Sequence, residues 1–155
     1  ELMGQMEKPT YTQEELDFAD ALNKQSPNYE MAKAKGMLES GPIMTALAPM
    51  VKTLGGGGST DVADVQHIVP CVMVYTATYN AAGPGHSWQI TACAGHSIGY
   101  KGMLYGAEVV AASALRMIEE PGHIERAKEE FDRVMKGQTY KCPIGPEIPI
   151  PQPQI

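Results

Sequence analysis

An α/β fold is predicted for this chain of 155 residues on three observations. The segment IVPCVMVYTAT, residues 68–78, is short, rich in Val and without a helical stripe, so it reads as a buried strand with Pro70 near its start or at an edge. Residues 97–118 and 124–135 carry apolar side chains at helical spacing. A strand of that composition needs neighbours on both sides, and few are visible, so it implies part of a larger sheet.

The first element is the best specified. In Tyr11-Thr12-Gln13-Glu14-Glu15-Leu16, Thr12 can accept from the backbone N–H of Glu15 while the Glu15 carboxylate accepts from the N–H of Thr12, and Tyr11 can staple onto Leu16. A helix over 12–24 follows, burying Leu16, Ala19 and Leu22 and stopping before Pro27. Residues 27–54 are mixed, because Gly36, Gly41, Pro42 and Pro49 interrupt the helical stretch NYEMAKAKGMLES. Four glycines at 55–58 have the composition of a flexible linker or hinge. AAGPGHSWQ, 81–89, is turn chemistry.

From Ser97 to Ile118, Leu104, Ala107, Val110, Ala111, Ala114, Leu115 and Ile118 mark one face of a long, closely packed helix. Pro121 suits the first turn of the next helix, whose stripe is Ile124, Ala127, Phe131, Val134 and Met135 and whose stop is Gly137. The Pro-rich tail over 141–155 is extended.

Composition removes several functions. The net charge is −6 with no cluster of Lys or Arg, which argues against nucleic-acid and anionic-membrane surfaces. Cys71, Cys93 and Cys142 are odd in number and widely spaced, as in a reduced, cytoplasmic protein. No apolar stretch reaches the roughly 18 residues of a membrane span. The opening ELMGQMEKP has no initiator Met, which points to residues removed upstream. The glycine run is followed by Ser59 and Thr60 without a lysine, unlike a P-loop. Ser59, Ser87 and Ser97 lack a nucleophile elbow. Of His67, His86, His96 and His123, only His86 sits in a tight turn ahead of a long helix, where loops hold ligands on a rigid frame. One histidine makes no metal site, since zinc wants about three or four donors.

Three motifs in order, STDVADVQHIVP at 59–70, PGHSWQITACAG at 84–95 and SIGYKGMLYGAEVVAASAL at 97–115, resemble the closing third of the aminoacylase and carboxypeptidase-like metal-dependent amidohydrolases. The subgroup most similar to them hydrolyses p-aminobenzoyl-glutamate, and YTQEELDFADALNK at 11–24 resembles that subgroup's helix after the inserted lid domain. The resemblance implies a catalytic domain with a mixed sheet between helices, interrupted by a lid or dimerisation domain, and one or two divalent metals, zinc or manganese. It implies that His86 matches the last metal-binding histidine. It also implies that Ser59, Thr60 and Asp61 match an active-site loop that reads Ser-Glu-Asp in sister subgroups. Asp64 and Lys101 fall in family-like positions with no chemistry assigned.

The family's first metal motif, bridging acid and Glu-Glu pair are not found here. Metal-activated water needs the metal's other ligands and a glutamate to move the proton. The expectation is therefore a C-terminal segment, residues 1–155, of an amidohydrolase cleaving an N-acyl amino acid or p-aminobenzoyl-glutamate-like amide. With its lid domain and N-terminal catalytic half absent, that segment is inactive alone. Its expected partners are that missing half, a small amide substrate and further copies or subunits in a homo- or hetero-oligomer. The alternative is a non-catalytic interaction or assembly module; a third, weaker alternative is a thiol protein built on Cys93.

Overall fold

The computed structural model describes residues 2–47 and 60–149. Seven helices occur among them: α1 (Leu2–Gln5), α2 (Gln13–Lys24), α3 (Tyr29–Ala34), α4 (Val62–Gln66), α5 (Trp88–Ala94), α6 (Ser97–Glu119) and α7 (Gly122–Met135). They belong to two compact units, one drawn from residues 2–47 and 74–118 and the other from 60–73 and 119–149. No described helix is long and apolar enough to cross a membrane.

The first unit is built around α2. Its start is the capping box read from the sequence: the Glu15 amide donates to Thr12 Oγ1 at 3.3 Å and the Thr12 amide to Glu15 Oε2 at 2.7 Å. That phase turns Ala19 and Leu22 inward, where they meet Ile43, Cys93 and Ile98, with Tyr11, Leu16, Phe18, Ala77 and Ala92 packed around them. α1 is fastened to α6 by the Tyr105 hydroxyl, which donates to the Met3 carbonyl at 3.0 Å.

The expected mixed sheet between helices, and with it the α/β class, is overturned. Among the described residues no strand forms, and the one ladder contact is an isolated antiparallel bridge between Ile43 and Asn80. Residues 70–78 run without regular structure, and Val72 is 77% exposed. The physical reason is pairing: a strand's amides and carbonyls need a neighbouring strand, and the described chain offers only one segment of strand-like sequence. Residues 76–78 lie instead on α6. Thr76 Oγ1 donates to the Gly102 carbonyl at 2.9 Å, and a Cβ at Gly102 would stand 2.1 Å from the Ala77 carbonyl oxygen.

That approach also overturns the expected buried face of α6. The helix buries Ile98, Gly99, Gly102, Tyr105 and Val109, whereas the stripe through Leu104, Val110, Leu115 and Ile118 is exposed. Glycines carry no hydrophobic signal, so periodicity favoured the wrong face. PGHSWQITACAG holds a second missed feature, since α5 begins at Trp88 behind a Ser87 cap that accepts from the Ile90 amide at 3.4 Å.

In the second unit, VADVQ is the short helix α4 rather than loop leading into a strand. α7 begins after Pro121 as expected and ends in a left-handed Lys136 (φ 49°) followed by Gly137 (φ 76°), and none of its residues is buried. Tyr140 donates to the Asp64 carboxylate and its ring lies 5.8 Å from that of His67, joining α4 to the segment after α7.

Gly102→Ala should lower unfolding free energy by about 1–3 kcal/mol, because the added methyl meets backbone. Gly85→Ala, where no atom lies within 4 Å, should be neutral or gain up to about 1 kcal/mol from the stiffer unfolded chain. Urea unfolding of the two variants beside the parent checks the contrast.

Candidate functional site

His86 stands in the turn between Gly83 and the α5 cap, exposed and with a left-handed backbone at φ 56°. A non-glycine residue in that region costs about 1–2 kcal/mol and persists where its surroundings impose it. Buried amides lie on the N-terminal side of this turn. Asn23 of α2 is fully buried; its Oδ1 accepts from Asn80 Nδ2 at 2.9 Å and from the Ala82 amide at 2.8 Å, and its Nδ2 donates to the Pro42 carbonyl at 2.9 Å. Ser26 Oγ donates to the Ala82 carbonyl, and the Gly83 amide to the Asn80 carbonyl at 3.0 Å. Neither asparagine stood out in the sequence, because an isolated Asn carries no pattern until the fold shows what it reaches.

A second polar cluster surrounds Glu15, which is 4% exposed. Its carboxylate accepts from the Thr12 amide, from Ser97 Oγ and from Lys101 Nζ, the last at 2.6 Å, and the Lys101 ammonium lies 5.5 Å from the centre of the Tyr11 ring. Burial pushes the carboxyl upward, but the hydrogen bonds from Lys101, Ser97 and Thr12 and the Lys101 charge outweigh it and hold the group at about 2. Lys101, in a family-like position by sequence, is thereby a structural ion-pair partner. His96 next to it stacks on Phe18 with ring centres 4.8 Å apart, and its Nδ1 lies 3.1 Å from Ser97 Oγ.

The expected active-site loop is reached in part. Ser59 and the four glycines lie outside the described residues. Thr60 and Asp61 are exposed at the start of α4, where Thr60 Oγ1 accepts from the Val62 amide at 3.3 Å and the Asp61 side chain makes no cap. They belong to the second unit and His86 to the first.

Among the described residues no group of three or more His, Cys, Asp or Glu side chains is placed to hold a metal ion. A zinc site takes about three or four such donors. The described residues therefore do not fit a divalent ion on their own; His86 could give one imidazole donor. Cys93 does not have the setting of a reactive thiolate either: it is buried, burial pushes its thiol up, and its Sγ faces Asn80 Oδ1 at 3.8 Å.

Over 90 residues, 58% of the chain, the sequence is 31% identical to one of the subunits of p-aminobenzoyl-glutamate hydrolase from Escherichia coli (strain K12). The matched part is 19% of that protein, so the chain is a partial relative spanning about a fifth of its length. No family model and no solved structure matches the chain.

Two outcomes follow from the geometry. Because Glu15 sits at about 2 when folded against an ordinary 4.5, its contribution is fully present above pH ~4.5 and is lost as pH falls toward 2. Glu15→Gln should cost about 1–3 kcal/mol at pH 7, a buried-pair value reduced because Lys101 is 34% exposed, and should flatten this part of the pH–stability curve. Thermal melts from pH 7 to pH 2 read both effects. His86→Gly should leave stability unchanged or raise it by up to about 1 kcal/mol by removing the left-handed cost, while His86→Ala should not gain; chemical denaturation separates the pair.

Proposed function

We propose that this chain is part of an amidohydrolase acting on an N-acyl amino acid or p-aminobenzoyl-glutamate-like amide. The observation that carries the proposal is the 31% likeness over 90 residues to a hydrolase subunit of that substrate class. His86 supports it, as an exposed imidazole with a left-handed backbone on a turn preceded by buried hydrogen bonds at Asn80 and Ala82. In this reading, Ser59, Thr60 and Asp61 line the substrate pocket of the whole enzyme. A divalent ion, zinc or manganese, is bound by the whole enzyme, toward which this chain offers His86. The general base and remaining ligands come from polypeptide beyond these 155 residues, which with a companion subunit is the expected partner. The chain alone is then inactive.

The test has two arms. The purified 155-residue chain, assayed on p-aminobenzoyl-glutamate with added zinc or manganese, should release no p-aminobenzoate. In the full-length polypeptide carrying this segment, His86→Ala should reduce bound metal and amide hydrolysis by at least about tenfold. Chelator-sensitive hydrolysis by the chain alone, or an unaffected His86→Ala enzyme, would overturn the proposal.

The second reading, a non-catalytic assembly module, is favoured by the exposed apolar stripe on α6. It expects His86→Ala to leave the full-length protein's activity intact and Leu104→Glu to disrupt assembly, as read by sedimentation.

A further inference from the structure

We propose that the buried Asn23–Asn80 pair is the positioning element for His86, with Asn23 setting the imidazole's place from the far side of the unit's core. The functional weight of this assignment rests on the amidohydrolase reading of His86, though the geometry stands without it. The residue before the turn that carries His86 and the helix after it both return to one residue, Asn80. At the near end, the Gly83 amide donates to the Asn80 carbonyl at 3.0 Å. Gly83 is wedged so tightly that a Cβ there would lie 2.9 Å from Asn80 Oδ1 and 3.2 Å from Ile90 Cγ1 of α5. At the far end, α5 starts directly after the Ser87 cap and returns Cys93 to within 3.8 Å of Asn80 Oδ1. Only Pro84, Gly85, His86 and Ser87 lie between Gly83 and α5.

Asn80 is in turn held by Asn23. Both side chains are fully buried, and Asn23 Oδ1 takes the Asn80 amide and the Ala82 backbone amide together. A buried carboxamide with its bonds engaged is stiff, because any displacement strands a donor or acceptor away from water. The left-handed His86 backbone is the strain that such an anchor can sustain. The hydrogen bonds of Asn23 go to Pro42, Asn80 and Ala82 and none goes to His86, so it is a positioning residue that acts through Asn80, Ala82 and Gly83.

The test uses the 155-residue chain and nuclear magnetic resonance. Asn23→Leu should abolish the left-handed scalar-coupling signature of His86, lower its amide order parameter, and speed exchange of the Gly83 amide by at least about tenfold. Asn23→Asp keeps the Oδ1 acceptor for both donors and should preserve the His86 signature although it costs stability. Leu22→Ala, destabilising in the same core, should lower the melting temperature without moving His86. If Asn23→Leu fails to fold, Ser26→Ala decides. Loss of its bond to the Ala82 carbonyl should still speed Gly83 exchange severalfold, and unchanged exchange and coupling would overturn the proposal. A folded Asn23→Leu chain with His86 unmoved overturns it equally, as does a His86 shift of equal size in Leu22→Ala. These readouts follow positioning alone. His86→Ala in the full-length enzyme follows the amidohydrolase reading alone, so failure of one is distinguishable from failure of the other.

Discussion

The side-chain carboxamide of Asn23 is the interaction on which the rest of the first unit depends. Its partners are 19, 57 and 59 residues away in sequence, and none lies in a strand. In most α/β domains such distant backbone groups are satisfied by a ladder. Here one buried amide does that work for Pro42 and Ala82 and holds Asn80 besides. The Ile43–Asn80 bridge and the Ala81 amide, which donates to the Pro42 carbonyl at 2.9 Å, sit directly beside it. A residue so placed must be fully bonded, since a buried unsatisfied amide costs on the order of 1–3 kcal/mol. No buried side-chain nitrogen or oxygen among the described residues lacks a partner.

The long helix α6 expresses a second constraint. It is apolar on nearly all sides, the signature of a helix meant to be covered more than once. One side is small: Gly99 and Gly102 bring the backbones of Ala94 and Ala77 to distances no side chain would permit. The other side, through Leu104, Val110 and Ile118, faces outward. Residues 76–78 take the small side because an extended segment outside any sheet gains both contact and a hydrogen bond from Thr76 to the Gly102 carbonyl there. Only the last three residues of the segment that reads as a strand are thus seated on a helix, and Val72 and Tyr75 of that segment are exposed.

Legibility varied with the range of the interaction. The capping box of α2 was readable because both of its bonds close within three residues. The end of α7 at Gly137 was readable for the same reason. The Glu15 carboxylate was read only as a cap, because its bonds to Ser97 and Lys101 span 82 and 86 residues. His86 was singled out by its turn, yet the asparagines beside the turn were not, and Thr60 and Asp61 of the expected loop are exposed at the start of α4.

By itself the sequence determined where α2, α6 and α7 begin, which turn carries His86, and a likeness to a hydrolase subunit over 90 residues. Those are properties of adjacent residues, set by capping, φ preference and motif order. Tertiary structure alone decided which face of α6 is buried, that Ile68–Thr78 forms no strand, and that Asn23, Asn80 and Glu15 are buried polar anchors. Each of these depends on what lies across the core, and close backbone approach at glycine and long-range hydrogen bonding leave no periodic trace in the chain.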